Sequence, residues 1–164
     1  MATDAPRTFD WRGLPCGLPS AISAIVNQSR PRKTVLTYGT FDLFHIGHLR
    51  LIERLAALGD RLIVGVSTDG FNAGKGKHSL VPYEDRAAIV AALRQVDAVI
   101  AEDSWDQKER DIAAHSVDIF GMGGDWRGQF DHLSELCEVV YLDRTEGIST
   151  TTIRGQLIPR SSQP

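Results

Sequence analysis

Two histidines, His45 and His48, close the run Tyr38-Gly39-Thr40-Phe41-Asp42-Leu43-Phe44-His45-Ile46-Gly47-His48. The β-rich run Thr34 to Tyr38 precedes them, and Ile46, Leu49, Ile52 and Leu55 follow at helical spacing. The pair therefore falls at a helix start just past a strand tip, and a spacing of three turns both rings to one side. A helix start adds amide donors and the positive end of a dipole. Two imidazole donors there make an anion pocket, and phosphates, with charge growing on a bridging oxygen, are its natural guest. Gly39 reads as a close approach of backbone to that guest. Gly47 reads as room between the rings for something bulky. By itself His-x-x-His is equally a metal-ligand pair or two surface histidines. The strand, the glycine and the Thr-Phe-Asp turn ahead of it favour the phosphate.

Further candidates follow the later strands. Asp69-Gly70-Phe71-Asn72-Ala73-Gly74-Lys75-Gly76-Lys77 sets Lys75 and Lys77 among three glycines, as a mobile loop closing on phosphates would, with solvated surface lysines as the alternative. Asp69 and Phe71 read as structural. Arg86 and Arg94 stand about two turns apart on a helix opened by Pro82. They are phosphate forks or partners of Glu84, Asp85 or Asp97. Asp103-Ser104-Trp105-Asp106-Gln107-Lys108 offers Lys108, and Trp105 as a packing residue or a substrate wall. Met122-Gly123-Gly124-Asp125-Trp126 offers Asp125 to orient hydroxyls or to cap a helix. Arg144-Thr145-Glu146-Gly147-Ile148-Ser149-Thr150-Thr151 opens the last helix with three hydroxyls. Such hydroxyls, backed by amides, hold phosphates, and capping needs only one of them.

Positioning these residues takes a particular scaffold. Strand runs at 34–38, 62–66, 96–101, 117–122 and 137–142 alternate with helical stretches at 46–58, 82–93, 105–115, 131–136 and from 149 or 150 to about 156. Strand–helix alternation repeated five times predicts an α/β fold, a doubly wound five-stranded parallel sheet with helices on both faces. In such sheets ligands lie beyond the carboxyl ends of the strands, at the switch point of strand order. All the candidates above follow strands.

The 164 residues suit one domain with one core. Residues 34–158 are expected to form it. Residues 1–33 hold four of the seven prolines and read as a loosely packed extension or as an arm on a partner subunit. Residues 159–164 read as a tail. A net charge of -3 offers no basic stripe for nucleic acid and no polybasic segment for a membrane. No apolar run is long enough to span a bilayer, and the N-terminus lacks the pattern of a secretory signal, so a cytoplasmic location is expected. Cys16 and Cys137 stand far apart, in no metal-ligand spacing, and read as free thiols.

In this setting His45-Ile46-Gly47-His48 resembles the His-x-Gly-His signature of a nucleotidyltransferase superfamily. The string Thr37 to His48 closely resembles the bacterial glycerol-3-phosphate cytidylyltransferases of teichoic-acid synthesis. Asp103–Lys108 resembles that family's tryptophan-containing stretch and Arg144–Thr151 its second signature, so the resemblance covers about Thr34 to Ile153. It implies a Rossmann-like fold and in-line attack of glycerol 3-phosphate on the α-phosphorus of CTP, with no covalent enzyme intermediate. His45, His48, Lys77 and Arg144 would be catalytic. Gly39, Thr40, Phe41, His45, His48, Lys77 and the run Arg144, Thr145, Glu146, Gly147, Ile148, Ser149, Thr150, Thr151 would bind the nucleotide. Lys75, Lys108, Arg86, Arg94, Asp125 and Trp126 would bind the acceptor. Mg²⁺ is expected as cofactor, held mainly by the CTP phosphates because no carboxylate cage is evident. Relatives are dimers, so a homodimer is expected. One residue departs: the family pattern has aspartate where Gly124 stands, and Gly-Gly-Asp is common in relatives that use ATP on sugar phosphates. The rivals are therefore an adenylyltransferase acting on a sugar phosphate, as in heptose activation, and a non-catalytic nucleotide sensor on this fold. The Arg144–Thr151 string, Lys108 and the Phe71-Asn72 pair favour CTP over the first. The presence of both histidines and every candidate phosphate binder argues against the second.

Overall fold

The computed structural model describes residues 32–157. The expected extension up to residue 31, Cys16 within it, residue 158 and the expected tail 159–164 lie outside them. Five strands carry the fold: β1 Thr34–Gly39, β2 Arg61–Ser67, β3 Ala98–Glu102, β4 Ile119–Gly123 and β5 Glu138–Leu142. Between and after them run α1 Ile46–Ala56, α2 Asp69–Gly74, α3 Tyr83–Ala91, α4 Gln107–His115 and α5 Thr150–Leu157. Two 3₁₀ turns, Gly124–Trp126 and Asp131–Glu135, fill the connection from β4 to β5.

The strands form one all-parallel sheet in the order β3-β2-β1-β4-β5. Parallel sheets are buried on both faces, and the central strands are accordingly mostly apolar and buried. Val35, Val64 and Val66 pack with Ile52 and Leu55 of α1 and Val90 of α3 on one face. Leu36, Ile63, Phe120 and Met122 pack with Ile112 of α4 and Leu133 of the second 3₁₀ turn on the other. The doubly wound sheet read from the sequence is the sheet found.

Strand order reverses between β1 and β4, and that gap is where the fold opens to a ligand. The sheet is closely packed on both faces. The Cβ of an alanine at Gly121 would come within 2.2 Å of Leu55 Cδ2. At Gly65 it would come within 2.1 Å of the Tyr38 ring. That ring has little freedom to move, because its hydroxyl donates to Asp111 at 2.7 Å and it packs on Phe120.

One stretch differs from the sequence reading. Residues 69–74 form a helix rather than a mobile loop, with the Thr68 hydroxyl accepting from Phe71 N–H as its N-cap. Asn72 is fully buried, and its carbonyl accepts from Lys77 N–H at 2.9 Å. Its amide group bonds Ser79 Oγ at 3.0 Å and meets Thr40 Oγ1 at 3.2 Å. The glycine-rich turn is therefore fastened at both ends, with Gly76 at φ +68 making the reversal.

The packing at Gly65 gives a direct test. Gly65→Ala should destabilise the protein by about 1–3 kcal/mol through overpacking against a held ring. Urea unfolding checks it, and an unchanged midpoint would mean that the Tyr38 ring gives way freely.

Candidate active site

His45 is the N-cap of α1, with extended backbone, and its Nδ1 accepts from Gly47 N–H at 3.0 Å. In the neutral ring the proton must then sit on Nε2. Nε2 faces the Thr150 hydroxyl at 3.4 Å, so His45 presents a donor toward the start of α5. His48 stacks on His45 with ring centroids 3.9 Å apart and planes at 20°. Phe41 and Phe44 flank His48 at 5.4 and 5.5 Å. Gly47 is explained differently from the sequence reading. A Cβ there would lie 2.8 Å from His45 Cε1 and 3.2 Å from Ile148 Cγ2, so the space is for the ring of His45 itself. Gly39 likewise makes room for the Phe41 ring, 2.9 Å from where its Cβ would be.

Both rings are neutral near pH 7. Burial lowers the pKa of His45. Burial, then the neighbouring His45, brings His48 down to about 4 against a small opposing pull from Asp42. The Nδ1 of His48 is buried without a partner among the described residues.

The loop ahead of the histidines is strained. Phe41 and Leu43 have φ of 52 and 47, in the left-handed region that side chains disfavour. Asp42 between them anchors it, accepting from Leu80 N–H, Val81 N–H and Arg154 of α5. Burial pushes the Asp42 carboxyl up, but those three donors outweigh it and hold it below its usual value.

Three adjoining cavities meet here. A cavity of about 210 Å³ is lined by His45, His48, Arg144, Thr145, Ile148 and the hydroxyl residues Ser149–Thr151. Asp125 lies on its rim, paired with Arg144 at 3.4 Å. A second, of about 510 Å³, shares His48, Thr150 and Thr151 with the first and adds Lys77, Thr40, Phe41 and Arg154. A third, of about 170 Å³, shares Thr40 and Lys77 with the second and adds Gly39, Lys75, Lys108, Trp105, Trp126 and Glu102. This last chamber is an aromatic box around two ammonium groups. Lys75 Nζ lies 3.7 Å from the Phe71 ring centroid, and Lys108 Nζ lies 4.6 and 4.8 Å from those of Tyr38 and Trp105.

The α5 hydroxyls divide their work. Ser149 caps the helix, accepting from Thr152 N–H at 3.1 Å. Thr150 bonds the Asp42 carbonyl and faces His45, while Thr151 is exposed and lines the first two cavities. Glu146 lies outward, in a shallow recess with Arg50, Arg54, Arg144 and Thr145, and Gly147 turns the chain at φ +79.

Of the acceptor candidates, Arg86 and Arg94 line none of the three cavities, and Asp125 lines the first. Arg86 is 1% exposed and spends its guanidinium inside the protein. It donates to the carbonyls of Thr40, Ser67 and Val81 and to Asp69. Arg94 lies past the end of α3, which stops at Ala91, and lines none of the three cavities. Asp125 lines the histidine cavity rather than the lysine chamber.

Four site residues escaped the sequence reading. Glu102 and Ser67 are the last residues of β3 and β2, where the strand-end rule already pointed. Arg154 stands one turn after Thr150 on α5. Asp42 stood inside the quoted string without a role.

Gly124 also has a local reason. Its Cβ would lie 3.3 Å from the Leu142 carbonyl and 3.7 Å from Asp143 Oδ1. An aspartate at 124 would therefore set its carboxylate against that of Asp143, which instead faces Arg127 at 3.3 Å.

A parallel sheet with stacked imidazoles at its switch point, hydroxyls at a facing helix start and lysines beside them is a nucleotide-binding α/β domain. The chain belongs to the cytidylyltransferase-like family, whose model matches residues 36–156. It is 54% identical over 125 residues to the glycerol-3-phosphate cytidylyltransferase of Bacillus subtilis, covering 76% of this chain and 97% of that protein. It is 50% identical over 131 residues to that of Staphylococcus aureus, covering 80% and 99%. A solved structure of the lipopolysaccharide core biosynthesis protein from Thermoplasma volcanium shares the fold. Its TM-score is 0.64 at 24% identity, over 70% of this chain and 99% of that one.

The neutral His48 has a consequence for stability. Its pKa is about 4 in the fold against an ordinary 6.5, so the unfolded chain binds a proton that the folded one refuses. Stability should fall as pH drops from about 6.5 toward about 4. His48→Asn should lose that part of the slope. Melting temperatures of both proteins across this window test it, and identical slopes would mean that His48 does not titrate as its burial demands.

Proposed function

We propose that this protein transfers the cytidylyl group of CTP to glycerol 3-phosphate, giving CDP-glycerol and pyrophosphate. The observation that carries this reading is the continuity of the three cavities. The stacked neutral imidazoles line a hydroxyl-rich compartment, His48 also lines the second cavity, and that cavity shares Thr40 and Lys77 with a two-lysine chamber. The identity of half or more to proteins of that name, over nearly their whole length, supports it.

The acceptor's phosphate is already a nucleophile near neutral pH, so no general base is required. One of its oxygens attacks the α-phosphorus of CTP in line. The bond to the bridging oxygen breaks, and pyrophosphate leaves with that electron pair. The protein's part is positioning and charge stabilisation. His45 and His48 donate to the α/β phosphates and the bridging oxygen. Lys77 and the Ser149–Thr151 segment hold the nucleotide phosphates, with Arg144 and Gly147 framing the nucleoside. Lys75 and Lys108 hold the acceptor phosphate beneath Trp126.

Among the described residues, no three His, Cys, Asp or Glu side chains could hold a metal ion together. The carboxylates beside the histidine cavity, Asp125 and Asp143, already face arginines. That donor set fits Mg²⁺ carried in on the triphosphate, where it offsets charge on the phosphate oxygens. The described helices include none long and apolar enough to cross a membrane. We take the protein to work in the cytoplasm as a homodimer, supplying CDP-glycerol to teichoic acid or another cell-surface polymer.

Pyrophosphate release with Mg²⁺ tests the reading, with CTP and ATP each offered glycerol 3-phosphate and a heptose 1-phosphate. Release is expected with CTP and glycerol 3-phosphate alone. Release with ATP and the sugar phosphate would overturn it. In the same assay His48→Ala should lower kcat by about 10²–10³, as loss of one transition-state donor does. Lys77→Ala should mainly raise the KM for CTP, and a change confined to glycerol 3-phosphate would move Lys77 to the acceptor side.

A further inference from the structure

One carboxylate sits at the floor of the lysine chamber. Glu102, the last residue of β3, is 4% exposed. Its Oε1 accepts from Lys108 Nζ at 2.7 Å. Its Oε2 accepts a short bond from Ser67 Oγ and lies 4.0 Å from Lys75 Nζ. Ser67 Oγ in turn accepts from Lys75 Nζ at 3.3 Å. A buried ion pair is seldom a net source of stability, because desolvation offsets its attraction. Its presence in the wall of a ligand cavity calls for another reason.

The charges around Lys75 supply one. Lys77 in its own turn, Lys108 of α4 and Arg86 of α3 all bear on it with positive charge, and Glu102 opposes them. The other acids near the chamber are engaged: Asp111 by the Tyr38 hydroxyl and Gln107, and Asp69 by Arg86. We propose that Glu102 is the positioning residue of the acceptor site, holding Lys75 and Lys108 aimed into the chamber and yielding them to a phosphate monoester dianion. The inference rests on reading this chamber as the acceptor site. It adds a selection rule. A ligand must carry enough negative charge to draw two ammonium groups from a carboxylate, which an unphosphorylated polyol cannot do.

Without Glu102 the positive charges of Lys77, Lys108 and Arg86 bear on Lys75 with nothing to oppose them. Burial, the largest influence, already lowers the pKa of Lys75, and loss of the carboxylate would lower it further. Glu102→Gln keeps the shape and the bond to Ser67 but removes the charge. Glu102→Asp keeps the charge. The KM of each substrate is measured from about pH 7 to about pH 9, and the titration of Lys75 is followed by trace acylation with mass spectrometry, which needs no turnover.

Glu102→Gln is expected to raise the KM for glycerol 3-phosphate roughly tenfold at the alkaline end, recovering toward neutral pH, with the KM for CTP nearly unchanged. Its Lys75 should titrate lower than in the wild type, and Glu102→Asp should stay close to wild type. An unmoved Lys75 titration overturns the proposal, as does a rise in both KM values together or a loss independent of pH. A lowered Lys75 titration in a protein that does not turn over glycerol 3-phosphate would support the charge role and overturn the acceptor reading on which the site assignment rests.

Discussion

The guanidinium of Arg86 is the tie on which the rest of the site depends. A parallel sheet fixes its strands, but the chemistry stands on the segments leaving their tips, and the ladder gives those segments no hydrogen bonds. Arg86 reaches from the first turn of α3 and donates to the last carbonyl of β2, to the Thr40 carbonyl just past β1 and to the Val81 carbonyl. It also pairs with Asp69 at 2.6 Å, and the other oxygen of that carboxylate accepts from Tyr83 N–H. A planar fork with five fixed donors can meet acceptors arriving from four segments at once, and an ammonium cannot match that geometry. Each buried carbonyl left without a donor would cost about 1–3 kcal/mol. Arg86 thus sets the entry angle of the histidine loop without touching what that loop binds.

A second tie completes the frame. Asp42 joins the histidine loop to the backbone at Leu80 and Val81 and to Arg154, and Arg154 also bonds the His78 carbonyl. The helix bearing Ser149–Thr151 is thereby fastened to the loop bearing His45. The left-handed backbone of Phe41 and Leu43 is strain that persists only where surrounding bonds overdetermine it, and Arg86 at Thr40 with the three donors at Asp42 do so.

Much of this was legible in the sequence because two of its signals are strong. Alternation of apolar runs with helical periods predicts a parallel sheet, and the sheet is there in full. The strings around His45 and Arg144 fall at strand ends, where the fold opens. What was not legible depends on direction and partnership rather than on order along the chain. Arg86 and Arg94 look alike in sequence, yet one is buried among carbonyls and the other lies beyond the end of its helix. The glycines around Lys75 suggest mobility, whereas the Thr68 cap and the buried Asn72, neighbours in the same stretch, hold it still. Glu102 carries no local signature, because its importance comes from two lysines that reach it from α4 and from the turn after α2. Gly124 departs from a motif for a reason that lies eighteen positions away along the chain, at Leu142 and Asp143.

The distribution of charge bears on how such a site can accelerate a reaction between two anions. Lys75, Lys77, Lys108 and Arg154 surround the second and third cavities, while the centre is held by two stacked rings that burial keeps neutral. In the proposed reaction the cations at the edge offset the repulsion between nucleotide and acceptor in the ground state and the transition state alike. They therefore contribute mainly to binding. A neutral imidazole N–H interacts modestly with a bridging oxygen while its charge is small, and more strongly as the bond breaks and charge accumulates there. Placing neutral donors at the point of charge development and cations around it separates binding from acceleration. Burial keeps the donors neutral, and the stack of His45 on His48, made possible by Gly47 and fixed by the Gly47 N–H bond to Nδ1, keeps them correctly turned.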